Sequence, residues 1–262
     1  MTNQNLQLRL RVFAGPNGSG KSTVIEAVRA TKVGKAAIDF GYYINADDIT
    51  QQLILKRKFD FSAFEIVIDR NRFKDIVLQS GLINQNFDKK TFLNSFSLIS
   101  NVLTLKRKKD ADRLAQIIAD VLRKELLELR KRFSFETVFS HSSKIDIMRQ
   151  AVEAGYKVYL YFVATESPDI NVFRVEARAR KGGHYVPPAK VISRYYRSLD
   201  LLYEAAQLGY QVYFFDNSVD GENFRMVAHF KKGKEKKEWD SINGNPLPQW
   251  FLKYYSAKIS FK

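Results

Sequence analysis

The stretch VFAGPNGSGKST at residues 12–23 leaves this chain little freedom in what it folds into. It contains the pattern G-x-x-x-x-G-K-S, with Gly15, Gly20, Lys21 and Ser22 at the fixed places. Such a loop needs a strand before it and a helix after it. Its backbone N–H groups must curl round an anion while the helix aims its positive dipole end at the same point. Both flanks are legible: LRLRVFA alternates as a half-buried strand does, and TVIEAVRAT carries apolar positions at helical spacing. Gly15, Pro16, Asn17, Gly18, Ser19, Gly20, Lys21, Ser22 and Thr23 are therefore the expected cradle for a nucleoside triphosphate. Lys21 neutralises charge between the outer phosphates, and the Ser22 hydroxyl ligates Mg2+. The motif leaves open whether the terminal phosphate goes to water, to a small-molecule hydroxyl or to a nucleic-acid end.

Further apolar or aromatic runs at residues 42–45, 133–136, 157–164 and 210–215 each follow a helical-looking stretch. Alternating strands and helices make parallel βαβ units, so the expected fold is α/β: a doubly wound, mostly parallel five-stranded sheet. Ligands of such sheets collect beyond the carboxyl ends of the strands. Those ends carry the phosphate loop, Asn45-Ala46-Asp47-Asp48, Glu136-Thr137, Thr165-Glu166 and Asp216-Asn217-Ser218, and Asp216 with Asn217 is expected at the nucleotide. One domain over residues 1–262 is expected, with a helical insertion at 56–109 and a basic helical lid at 168–208. A C-terminal hairpin and tail at 221–262 is expected to turn near Gly233.

The chain has 262 residues and no cysteine, which excludes disulfides, thiolate metal sites and cysteine catalysis. No run of 18 or more apolar residues occurs and no basic start precedes an apolar stretch, so no membrane span or export signal is expected and a cytoplasmic enzyme is the fitting class. The formal charge of +15 predicts attraction to polyanions such as nucleotides, nucleotide sugars or nucleic acid. The runs KRK at 56–58 and KRKK at 106–109 are read as solvated faces, with nucleic-acid contact as the alternative.

A kinase must position a hydroxyl and receive its proton, a task for an ionised carboxylate. Asp47, just beyond the YYIN run, is the candidate base, whereas Asp48 is expected to cap or begin the helix through DITQQLIL. Glu136 in FSFET stands where an acid can serve the metal or its waters. In SPDINVFRVEARARKGGHYVPPAKVISRYYRSLDLL two helices flank a Gly-Gly turn. Arg174, Arg178 and Lys181 fall at i, i+4 and i+7 on the first, and Lys190, Arg194 and Arg197 repeat that spacing on the second. Arginines on such a lid reach a transferring phosphate as an arginine finger does.

In order along the chain, GPNGSGKST, INADDI, RFSFETVFS, the long lid segment with GGH-x-x-P and R-Y-x-R-S, and FFDNS resemble the zeta toxin family of P-loop kinases, in its chromosomal branch. The resemblance implies transfer of the γ-phosphate of ATP, with Mg2+, to a small substrate. The best-known acceptor is the 3′-hydroxyl of UDP-N-acetylglucosamine, and a protein antitoxin restrains such enzymes. It also implies that Asp47 is the catalytic base and that Glu136 is the acid of the family's E-T/G-T piece. Arg180 and Arg194 are nominated by their places around GGHYVPP, while helical geometry favours Arg178 with Arg194. The insertion at 56–109 departs from the branch and leaves the acceptor open.

Neither an LSGGQ-like signature nor an apolar run ending in Asp-Glu is present, and N-K-x-D is missing, which disfavours ABC-type ATPases and GTPases. A polynucleotide 5′-hydroxyl kinase and an ATP-binding interaction module without transfer remain the rival readings.

Overall fold

A computed structural model describes residues 7–85, 87–183, 185–240 and 246–259. The chain divides into two compact units, Met1–Phe40 with Ser134–Lys262, and Gly41–Phe133. Among the described residues no helix is long and apolar enough to cross a membrane.

In the first unit the strands lie in the order Lys237–Trp239, Arg225–Lys232, Gln211–Asp216, Lys157–Ala164, Arg9–Ala14, Phe133–Thr137. Lys157–Ala164 pairs in parallel with Arg9–Ala14 on one side and with Gln211–Asp216 on the other. Strand Arg9–Ala14 is buried from Leu10 onward, as a central strand of an α/β sheet must be. The expected C-terminal hairpin is present and turns at Gly233, whose N–H donates to Lys236 O. It adds two antiparallel strands to the sheet, which is therefore wider than the five-stranded expectation. The physical reason is the apolar strand Gln211–Asp216, with Val212 and Phe214 fully buried, which cannot serve as a bare edge.

Register aligns aromatic rings across one face of this sheet. Phe13 faces Tyr161, Tyr161 faces Tyr213 and Tyr213 faces His229. The rings stack with centroids 4.6, 4.8 and 4.1 Å apart. Each such pair contributes about 0.5–1.5 kcal/mol beyond burial, enough to hold the strand register and so the strand ends that carry the site.

The second unit has its own core, which is why it separates from the first. Phe59, Phe61, Phe73, Phe92 and Phe96 are buried and pack ring to ring. Helix Ala46–Lys56 lies against the long amphipathic helix Ala111–Glu128. The fifth expected strand, Tyr42–Ile44, belongs to this unit. The insertion at 56–109 is not purely helical. Helices Arg70–Leu78 and Lys89–Ser95 accompany a three-stranded antiparallel sheet of Lys58–Asp60, Val102–Leu105 and Phe96–Ile99. The last two strands join through Ser100 and Asn101, both left-handed at φ 47° and 67°. This is the geometry of a tight primed hairpin turn. Asn101 also fastens the unit: its amide donates to Ser62 Oγ and Ile66 O and accepts from the Ile68 N–H.

Candidate functional site

The phosphate loop leaves the end of strand Arg9–Ala14 and enters helix Lys21–Ala30. No side chain caps that helix, so its first-turn N–H groups are donors available to an anion. Gly20, at its start, has φ 90°, and a Cβ there would lie 2.0 Å from Asn217 Nδ2. Only glycine satisfies both conditions. Asn217, just past strand Gln211–Asp216, donates from Nδ2 to Ser19 O (3.0 Å) and from its backbone to Ala164 O (2.9 Å). It thereby clamps the loop to two strand ends.

The Lys21 ammonium is buried within the loop and donates to Gly15 O (3.1 Å) and Pro16 O (3.0 Å). Glu136, from strand Phe133–Thr137, places its Oε1 3.9 Å from the same nitrogen. An anion at the helix start would therefore meet a cation whose position the loop carbonyls already fix, next to a carboxylate. Ser22 and Thr23 are exposed in the first helical turn.

The segment expected as a lid forms two helices, Pro168–Arg180 and Pro188–Asp200, each with proline in its first turn. Val175, Val186 and Val191 form a small apolar core with Val172. Both helices are tied to the loop or to the strand end below it. Asn171, fully buried on the first, donates from Nδ2 to Asn17 O (2.5 Å) and accepts from the buried Thr165 hydroxyl. On the second, the Tyr195 hydroxyl donates to Thr165 O (2.6 Å), and Arg194 Nη1 donates to Asn17 Oδ1 (3.2 Å). Burial pushes the Tyr195 hydroxyl well above its ordinary pKa, so it remains a donor throughout the neutral range. Asn17 is thus met from both lid helices.

The remaining candidates make other contacts. Arg178 and Arg180 are exposed near the Gly-Gly turn, where Gly183 N donates to Arg178 O. Arg174 holds the loop after the strand Gln211–Asp216, donating to Asn217 O (2.7 Å) and pairing with Asp220 (3.0 Å). Asp216, expected at the nucleotide, is 5% exposed, and its carboxylate accepts from Ser218 Oγ (2.7 Å) and Trp250 Nε1 (2.9 Å). Glu166 accepts from the Gln249 and Trp250 N–H groups, so both acids fasten the C-terminal segment. In the second unit Asp47 is exposed in the first turn of helix Ala46–Lys56. That helix is capped by Asn45, which accepts from the Asp47 N–H (2.9 Å), and Asp48, expected to cap or begin it, stands in its first turn. His184, in the piece GGHYVPP, lies outside the described residues.

Sequence reasoning missed Asn171 and Tyr195, and named Thr165 only as a strand-end residue. A signal for the first was present: Asn171 falls four residues before Val175 and so shares the apolar face of its helix. A neutral amide in that place must find buried partners.

The family description "AAA domain" matches residues 3–160, more than half of the chain. An uncharacterised protein of Haemophilus influenzae is 35% identical over 63 residues, which is 24% of this chain and 45% of that protein. Among solved structures, the chain is similar to a chain of the AvrRxo1-ORF1:AvrRxo1-ORF2 crystal structure with sulphate ions, at 16% identity and TM-score 0.50. That match covers 85% of this chain and 58% of the other. It is also similar, at 12% identity and TM-score 0.47, to a chain of the PezAT chromosomal toxin-antitoxin system of Streptococcus pneumoniae, covering 96% and 79%. The chain thus spans less than two thirds of the AvrRxo1 chain and less than half of the curated relative. At 16% identity the likeness to the AvrRxo1 chain is one of fold alone. With the phosphate loop inside the matched residues, the chain belongs to the AAA domain family.

Proposed function

We propose that this chain is an ATP-dependent kinase of the zeta-toxin type, which transfers the γ-phosphate to a hydroxyl of a small substrate such as a nucleotide sugar. The observation that carries this reading is the contact of Arg194 with Asn17, a lid arginine seated against the phosphate loop. A lid that brings a guanidinium to the loop suits direct transfer, because charge on the equatorial oxygens needs stabilising and water must be kept away.

In this mechanism the loop N–H groups and Lys21 bind the outer phosphates. Arg194 meets the charge of the transferring group, and Asp47 accepts the proton of the attacking hydroxyl. Arg178 and Arg180, exposed on the first lid helix, are assigned the outer part of the bound anions. Asn217 acts at the nucleotide by holding the loop, while Asp216 acts from behind it through Trp250 and Ser218. The donor set suits Mg2+. Among the described residues no group of three His, Asp or Glu converges, and this ion takes one or two protein oxygens with phosphate and water completing its shell. Ser22 and Glu136 would hold it, and it would neutralise charge between the phosphates.

A protein antitoxin is proposed as partner from the zeta-toxin resemblance; AvrRxo1-ORF1, for its part, was crystallised with a second protein. To test the reading, purified protein is given γ-labelled ATP with UDP-N-acetylglucosamine, other nucleotide sugars, or a 5′-hydroxyl oligonucleotide. Label in a small-molecule product supports it. Label in the oligonucleotide, with affinity falling steeply as salt rises, would replace it by the polynucleotide kinase reading. Bound ATP with no labelled acceptor would leave an interaction module.

A further inference from the structure

The basic run at residues 106–109 takes no part in the reaction proposed above, yet within the second unit it borders a cavity of about 570 Å³. Arg107, Lys109 and Arg113 line this cavity together with Asp110, Thr91 and Phe87. Arg107 donates from Nε to Asp110 Oδ2 (2.6 Å). Its Nη2 is buried and donates to no protein acceptor, although the side chain as a whole is 41% exposed. Arg113 donates from Nη2 to Leu82 O and holds its guanidinium 5.8 Å from the centre of the Phe87 ring. Its Nε is likewise buried without an acceptor, and burial pulls its pKa below the ordinary value.

A buried donor left unpaired costs about 1–3 kcal/mol, and more when it is charged. Two such guanidinium donors border one cavity. Water could accept these hydrogen bonds, but water does not balance the charge. Three cations face the cavity against the single carboxylate of Asp110, which Arg107 already engages. The nearby Asp88 carboxylate is committed to the Thr91 N–H as a helix cap (2.6 Å).

We propose that this cavity binds the phosphate group of a small organic molecule. The excess of two positive charges matches a phosphate dianion, whose oxygens would accept from the Arg107 and Arg113 guanidiniums and the Lys109 ammonium that line the cavity. A carboxylate brings one charge and two oxygens to the same three donors. The cavity is wider than a phosphate alone, and the Phe87 ring supplies an apolar wall for the rest of the ligand.

The test uses the full chain carrying Lys21→Ala, so that the phosphate loop contributes little, and titrates it with inorganic pyrophosphate by calorimetry. Saturable binding is expected, weakened at least about tenfold by Arg107→Gln and by Arg113→Gln in proteins that melt like their parent. Should Arg113→Gln fail to fold, Arg107→Gln and Lys109→Gln carry the test. No binding to the parent, or changes below about twofold in the folded variants, would overturn the site. Acetate or citrate bound as tightly as pyrophosphate would overturn the phosphate assignment. A single-stranded oligonucleotide bound more tightly than pyrophosphate, and released by the same substitutions, would overturn the small-molecule assignment.

Discussion

On helix Pro168–Arg180 and its C-cap the cations Arg174, Arg178 and Lys181 repeat at i, i+4 and i+7, and on Pro188–Asp200 Lys190, Arg194 and Arg197 repeat the same spacing. Their contacts differ. Arg174 holds the segment 217–220, and Arg178 stays exposed beside the Gly-Gly turn. Arg194 reaches Asn17 in the phosphate loop, and Arg197 donates to Ser193 O on its own helix. Helical periodicity thus sets which face a cation occupies, whereas the strand ends beneath the helix decide what it touches. One helix holds the frame of the loop, and the other brings charge to it.

This contrast can be broken by substitution, and the effects should rank in a definite order. Lys21→Ala should abolish transfer, since it strips the cation that the phosphate loop holds for the outer phosphates; turnover persisting near the wild-type rate would end the kinase reading. Next, Arg194→Gln should lower kcat by about 10³ while ATP affinity, measured by calorimetry, changes little. Arg194→Lys should rescue little of this, because an ammonium lacks the planar fork. Asp47→Asn should retain ATP and slow transfer about 100-fold, in line with loss of a general base. If Asp48→Asn does so instead, the base is misassigned by one position.

Arg174→Gln should act on the frame. It removes donors to main-chain oxygens, so denaturant unfolding should report a loss of about 1–2 kcal/mol while kcat falls only a few-fold. The partner Asp220 is 75% exposed, so the ion pair itself adds little to that figure. Arg180→Gln should be smallest, within about twofold of wild-type turnover, because this exposed side chain lies in the outer part of the lid. A large kcat effect there would move the finger role to the first helix.

Much of the frame was legible because its signals are local. The phosphate loop names its own flanking strand and helix, and the Gly-Gly turn with Pro187 and Pro188 marks the break between the lid helices. The sheet within residues 56–109 was not legible from composition, since Phe, Leu and Ile suit a helix or a short strand equally. Its one sharp signal was Ser100-Asn101 between the alternating FSLI and VLTL. In the site, charged residues drew attention and a neutral one did the joining. Asn171 is silent in a charge pattern, yet it links Thr165 to Asn17. Asp216 and Glu166 stand at strand ends as a ligand-binding acid would, but their partners Trp250 and Gln249 are more than 30 residues away in sequence. No local pattern could reveal that.

The most direct measurement of where the phosphate goes is to incubate wild-type protein and the Arg194→Gln variant with γ-labelled ATP and a metabolite extract, and to identify the labelled product by mass. The account predicts label in a small hydroxyl-bearing metabolite with wild-type protein, and about 10³-fold less in the variant at equal ATP occupancy. Label released only as inorganic phosphate, or a variant that transfers at the wild-type rate, would contradict it.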